Sequence, residues 1–194
     1  MITENFKQSV DFVEQTIRNT PVREHKGVRY QIYENFFDPL FLKDLQEVKS
    51  NEVKLSLLQW QEDQNRRRVD YNEPSSKMLQ IFFHSSKIIN ALKEQFHCES
   101  LRPKTTDMWF DTQGYQIVPH IDGDYQMQLQ IYLNDEDQPP TVLWEKDGED
   151  YVMYDSAKYK SNFGYCLFNA GPSYHGMSGP VVSGERKSIF ARFE

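Results

Sequence analysis

His120 and Asp122 stand two positions apart. On an extended segment, where successive side chains alternate, an imidazole and a carboxylate at that spacing point to the same side and could share a metal ion. The pair alone carries little weight. With five His and fourteen Asp in the chain, roughly a third of chains of this composition would hold such a triplet by accident. A third donor, His175, sits in the turn-rich stretch Pro172-Ser173-Tyr174-His175-Gly176, after the strand-like segment Gly164 to Asn169. Two histidines and one carboxylate suit non-haem Fe(II), leaving coordination positions open for a cosubstrate and O2. Catalytic zinc sites use the same donors.

The last strand-like segment separates these readings. In Gly184-Glu185-Arg186-Lys187-Ser188 and onward, Arg186, Ser188, Phe190 and Arg192 alternate with Lys187, Ile189, Ala191 and Phe193. An arginine on the interior face of a terminal strand is costly unless an anion meets it. A guanidinium fork takes a carboxylate through two parallel hydrogen bonds, and a nearby serine and tyrosine can complete the anion's partners. That set suits 2-oxoglutarate, with its keto-acid end on iron and its far carboxylate on Arg186. Before it, Tyr125 to Asn134 alternates strictly: Met127, Leu129, Ile131 and Leu133 form one face, and Gln126, Gln128, Gln130 and Tyr132 form another that could line a hydrated pocket.

His120-Ile121-Asp122, Tyr132-Leu133-Asn134, His175 and Gly184-x-Arg186-x-Ser188 together resemble the Fe(II)/2-oxoglutarate oxygenases of the prolyl-hydroxylase-like group. The resemblance covers about residues 105–194. It implies a double-stranded β-helix, a jelly-roll variant, with iron at one open end and N-terminal helices packed on the larger sheet. It also implies that Tyr132 joins Arg186 at the distal carboxylate, and that Asn35 to Leu45 leads into the helix that commonly opens such domains. Where that group often has a glycine pair after the Tyr-Leu-Asn strand, this chain has Pro139-Pro140-Thr141. The separation of His175 from Arg186 is slightly longer than in animal prolyl hydroxylases, which leaves Lys187 open as a partner in anion binding.

The elements that must position these residues follow from periodicity. Ile2, Phe6, Val10, Val13 and Ile17 mark an amphipathic helix that stops near Thr20-Pro21. Val28 to Tyr33 alternates as a strand, and Asp38-Pro39 reads as an N-cap followed by proline at the first position of a helix running from Leu40 to Val48. A strand is expected over Val53 to Trp60. Met78, Ile81, Phe82, Ile88, Ile89, Leu92 and Phe96 then predict one long covering helix. From Leu101 onward, short alternating segments are separated by turn signals at Gln113-Gly114, Asp147-Gly148 and Ser183-Gly184. The expected fold is therefore α+β with a mainly β core, in one domain over 1–194: helical support over 1–100 and a catalytic β core over 101–194.

Composition narrows the function classes. A length of 194 residues, with 38% hydrophobic and 14% aromatic content, suits one self-folding core. A net charge of -7 argues against a nucleic-acid partner. The run Arg66-Arg67-Arg68, bracketed by Asp63 and Asp70, reads as a solvated loop or a charge-paired strand. Cys98 and Cys166 show no ligand spacing, and the charged N-terminus resembles neither a signal peptide nor a membrane span, so a cytoplasmic setting is expected. His25, His84 and His97 read as structural or solvated. Trp109 and Tyr115, just ahead of His120, serve equally as core aromatics or as residues touching the substrate.

The expected reaction couples decarboxylation of 2-oxoglutarate to hydroxylation of a C–H bond in a small-molecule or peptidyl substrate. The alternatives are oxidative demethylation of a nucleobase, since Arg186-x-Ser188 followed by Arg192 resembles the arginine-rich last strand of the nucleobase-oxidising dioxygenases, and a non-catalytic β-sandwich that binds a ligand or protein.

Overall fold

The structure, a computed structural model, describes residues 4–56, 65–123, 125–169 and 171–194. Helix α1 (Glu4–Asn19) turns Val10, Val13 and Ile17 inward and ends ahead of Pro21, which cannot continue a helix. Strands β1 (Arg23–His25) and β2 (Val28–Tyr33) form a hairpin. Helix α2 (Pro39–Glu47) begins as its sequence predicts: the Asp38 carboxylate accepts from the backbone N–H groups of Leu40 and Phe41 at 3.0 and 3.1 Å. Strand β3 (Leu55–Ser56) begins two residues later than the strand expected over Val53 to Trp60, since Val53 and Lys54 are not in a strand; residues 57–60, like Ile2, lie outside the described residues. Strand β4 (Arg66–Val69) takes in the arginine run, which is therefore a strand and not a loop.

The apolar stripe from Met78 to Phe96 is not one helix but two, α3 (Pro74–Phe83) and α4 (Ser86–Phe96). His84 closes the first, and Ser85 turns to an extended conformation (φ -60°, ψ 127°) before the second. The stripe gives no sign of the break because both helices bury their apolar side chains in the same core. The local signal is the serine pair, whose hydroxyls favour positions outside helix interiors.

The second half is built of β5 (Pro103–Thr112), β6 (Met127–Tyr132), β7 (Thr141–Asp147), β8 (Asp150–Ala157), β9 (Gly164–Phe168), β10 (Tyr174–Met177) and β11 (Glu185–Phe193). Among the described residues an eight-stranded sheet runs β1-β2-β9-β6-β11-β5-β4-β3 and a three-stranded sheet runs β10-β7-β8, all pairings antiparallel. The chain is thus an α+β fold with one large and one small sheet. Four of the eight strands in the large sheet come from the first hundred residues. That region accordingly does more than brace the sheet.

Alternation decides what each face of the large sheet does. Met108, Phe110, Met127, Leu129, Ile131, Cys166, Phe168, Ile189, Ala191 and Phe193 join the buried residues of all four helices in one apolar core. Each large apolar side chain so buried contributes about 1.5–3 kcal/mol. The opposite face carries Arg66 and Arg68 on β4, Asp107, Trp109 and Asp111 on β5, Gln128, Gln130 and Tyr132 on β6, and Arg186, Ser188 and Arg192 on β11. Polar groups of this density belong around a ligand cavity and not in a packed core.

Candidate metal centre and anion pocket

The backbone brings His120 and His175 together. Each donates its N–H to the carbonyl of the other at 3.0 Å, an antiparallel bridge that continues the small sheet beyond β10. The segment before His120 runs alongside the one after His175: Met177 donates to the Ile117 carbonyl and Val181 to that of Tyr115, both at 2.8 Å. Gly176 makes this approach possible, since a Cβ there would fall 2.8 Å from the Val118 carbonyl.

The imidazoles are oriented by the main chain. His120 Nδ1 lies 3.0 Å from the Val118 carbonyl and His175 Nδ1 lies 3.1 Å from that of Ser173. A carbonyl oxygen only accepts, so each Nδ1 carries a proton, and Nε2 is the nitrogen that presents a lone pair when the imidazole is neutral. Those Nε2 atoms lie 3.4 and 3.1 Å from the two oxygens of Asp122. One donor atom from each of the three residues falls within 4.8 Å of the others. Asn169 holds the loop carrying Asp122 by donating to the Tyr125 carbonyl at 3.0 Å.

Such a set of lone pairs attracts cations. Burial works against charge on His120, but hydrogen bonds to Asp122 and to the Val118 carbonyl outweigh it and raise its pKa. Burial likewise opposes charge on Asp122, yet the two imidazoles hold its carboxyl well below the usual carboxylate range. The donor set, two imidazole nitrogens and one carboxylate, fits a divalent transition metal with positions left open. Gln128 is the neighbour to note: its amide nitrogen lies 2.9 Å from His175 Nε2.

The three residues line a cavity of about 250 Å³ that also reaches Arg186, Thr141, Tyr165, Gln130, Trp109, Tyr115, Arg66 and Arg192. Arg186 is 2% exposed. Its guanidinium lies over the rings of Tyr132 and Tyr159 at 5.0 and 5.3 Å and donates to the Thr141 hydroxyl at 3.1 Å. Tyr132 donates to the same hydroxyl at 2.6 Å, so Thr141 links it to Arg186. Tyr132 and Ser188 are fully buried and lie behind the cavity lining, with Ser188 accepting from Gln130 at 3.2 Å. Lys187 projects to the helical side, where its ammonium donates to the carbonyls of Gln46 and Val48 at the C-terminal end of α2. Strand alternation therefore put Arg186 on the cavity face and Lys187 off it.

Trp109 and Tyr115 both line the cavity. Between them lies Arg66, its guanidinium 4.2 Å from the Trp109 ring and 4.8 Å from that of Tyr115, donating to the Tyr115 hydroxyl. Burial pushes that hydroxyl up to about 12, so it stays neutral. Sequence reasoning set the arginine run aside and missed Arg66; the available signal was its alternation with Arg68, which puts both on one strand face. Thr141, Tyr165 and Asn169 had no such signal.

The fold is similar to those of solved structures described as 2-oxoglutarate/Fe(II) oxygenases, with prolyl hydroxylases among them. A Pseudomonas putida prolyl-4-hydroxylase superposes with a TM-score of 0.59 at 13% identity over 95% of this chain and 98% of that one. The collagen prolyl hydroxylase of Paramecium bursaria chlorella virus-1, solved as its 2-oxoglutarate complex, gives 0.54 at 14% identity, covering 84% and 94%. HygX from Streptomyces hygroscopicus, solved with nickel and 2-oxoglutarate, gives 0.60 at 10% identity, covering 84% and 82%. At the level of sequence the chain matches no family model and no curated protein. Among the described residues no helix is long and apolar enough to cross a membrane.

Proposed function

We propose that this chain is a Fe(II)- and 2-oxoglutarate-dependent oxygenase on a double-stranded β-helix, hydroxylating a C–H bond of a small-molecule or peptidyl substrate. One observation carries the reading: two imidazoles with their Nδ1 atoms tied to backbone carbonyls turn their lone pairs toward one carboxylate, in the cavity that also holds the buried cation Arg186. His120, Asp122 and His175 would hold the iron, and Arg186 the distal carboxylate of 2-oxoglutarate, with Thr141 at its side. Bound there, iron and 2-oxoglutarate supply the oxidising chemistry: O2 is consumed, 2-oxoglutarate becomes succinate and carbon dioxide, and one oxygen atom enters the substrate.

The chain's own residues do the rest. The carbonyls of Val118 and Ser173 accept from both Nδ1 atoms, which leaves Nε2 of each ring as the nitrogen that would meet the metal. Tyr132, Tyr159 and Thr141 keep the Arg186 fork in one orientation, so a carboxylate meets it without reordering the side chain. Tyr165, which is 1% exposed, helps to dry the cavity wall beside His175. The experiment is succinate formation from 2-oxoglutarate by the purified protein, with and without Fe(II). Iron-dependent succinate is the expected result, and its absence, together with no 2-oxoglutarate binding to the Mn(II)-loaded protein, would return the chain to the non-catalytic class.

A further inference from the structure

We infer that the molecule oxidised here is itself an anion, presenting a carboxylate or phosphate to Arg192 and Trp109 with Arg66 at its edge; this rests on the oxygenase reading for the cosubstrate's place, and concerns what else the cavity takes. The argument is a charge balance on one sheet face. Asp111 lies between Arg66 Nε at 3.2 Å and Arg186 Nη1 at 3.8 Å, and Asp107 lies between Arg68 Nη1 at 3.6 Å and Arg192 Nη2 at 3.4 Å. Four guanidinium charges thus face two carboxylates, in a chain whose overall charge is -7. The local sign is opposite to that of the molecule, so it does not follow from composition.

The ligands already assigned do not cancel it. The distal carboxylate of 2-oxoglutarate on Arg186 neutralises the row Arg66, Asp111 and Arg186. A divalent ion with Asp122 and the keto-acid carboxylate is neutral too. The second row, Arg68, Asp107 and Arg192, keeps one positive charge. Asp107 is 1% exposed, and the Arg68 and Arg192 side chains are 13% and 20% exposed, so little water reaches that charge and an anion gains by meeting it.

Unfilled donors line the same cavity. Arg192 Nε and the indole Nε1 of Trp109 are buried and have no hydrogen-bond partner among the described residues, and both side chains line the cavity. A buried N–H without an acceptor is uncommon enough to need an explanation. Trp109 occupies the β5 position between Asp107 and Asp111, so its indole lies among the arginines. Arg66 is held rigid by two rings. An anion set between them would fill these donors and cancel the surplus charge.

The test has two stages in one calorimeter. Mn(II) and then 2-oxoglutarate are titrated into the wild-type protein; failure here sinks the oxygenase reading alone. Benzoate, phenyl phosphate and neutral benzamide are then titrated into the loaded protein, or into the ligand-free protein if the first stage fails. One of the two anions is expected to bind at one per chain and at least tenfold more tightly than benzamide, and which of them does so separates a carboxylate from a phosphate ligand. Arg192→Gln should lose at least tenfold for that anion while its affinity for 2-oxoglutarate changes less than twofold. Trp109→Phe, which keeps the ring and loses the N–H, should weaken the anion three- to tenfold. Benzamide binding as well as the anions, no binding of either anion, or a fall in 2-oxoglutarate affinity in Arg192→Gln that matches the loss of the anion would each overturn the proposal.

Discussion

His120 and His175, fifty-five positions apart in the chain, are direct partners in a backbone bridge, each N–H donating to the other's carbonyl at 3.0 Å, with their rings 4.4 Å apart between centroids. Because the ladder itself sets their separation, the two imidazoles are fixed as one unit, and Asp122 is added from the loop beyond.

Replacing any one of the three donors should remove metal binding and leave the fold. His120→Ala, Asp122→Ala and His175→Ala each delete a ligand at the cavity, away from the apolar core beneath the helices. Metal titration with Fe(II) or Mn(II) is expected to show at least a hundredfold loss, with circular dichroism unchanged. Wild-type affinity in all three variants would end the assignment.

Gly176→Ala tests the bridge and leaves every ligand in place. The added Cβ would meet the Val118 and Ile117 carbonyl groups at 2.8–2.9 Å, contacts that require the strands to part. The expected result is at least a tenfold loss of metal affinity together with about 1–3 kcal/mol of stability, a typical penalty for overpacking. Thermal unfolding and metal titration on the same sample check it. Metal affinity unchanged at reduced stability would mean that the bridge does not set the ligand geometry.

Arg186 and its neighbour Lys187 should separate cleanly. Arg186→Lys keeps the charge and loses the fork, so 2-oxoglutarate should bind more weakly by about 1–3 kcal/mol. Arg186→Ala should do worse, since it also leaves Asp111 without one of its two arginines. The Michaelis constant for 2-oxoglutarate reads this out, and Lys187→Ala should leave that constant where it was. A large rise in Lys187→Ala with none in Arg186→Ala would put the reactive face of β11 one residue out of register.

Lys187 should instead appear in stability as a function of pH. Burial lowers its ammonium from 10.5 to about 8. The folded value is the lower one, so between these two values the unfolded chain binds more protons and stability gains as pH rises; below about 8 the full cost of burying the charge is present. Lys187→Met has no such proton. Denaturant unfolding of both proteins from pH 7 to 10.5 should show the difference moving in favour of wild type across that window. A constant difference would mean that the Gln46 and Val48 carbonyls fully offset the burial.

The sequence by itself determined which residue types face which way. Alternation over β6 and β11 assigned Gln128, Gln130, Tyr132, Arg186, Ser188 and Arg192 to one face and the apolar residues to the other, because the side-chain period of a strand is a local property. The cap at Asp38 and the stop at Thr20-Pro21 were legible for the same reason. Only the tertiary structure decided what those faces meet. The pairing of His120 with His175 and the placing of Arg66 beside Trp109 and Tyr115 depend on contacts between segments far apart in the chain. Periodicity specifies the face that a strand buries, but which strand lies next to it is set by the packing of the whole sheet. That packing set four arginines against two carboxylates in a chain that is acidic overall.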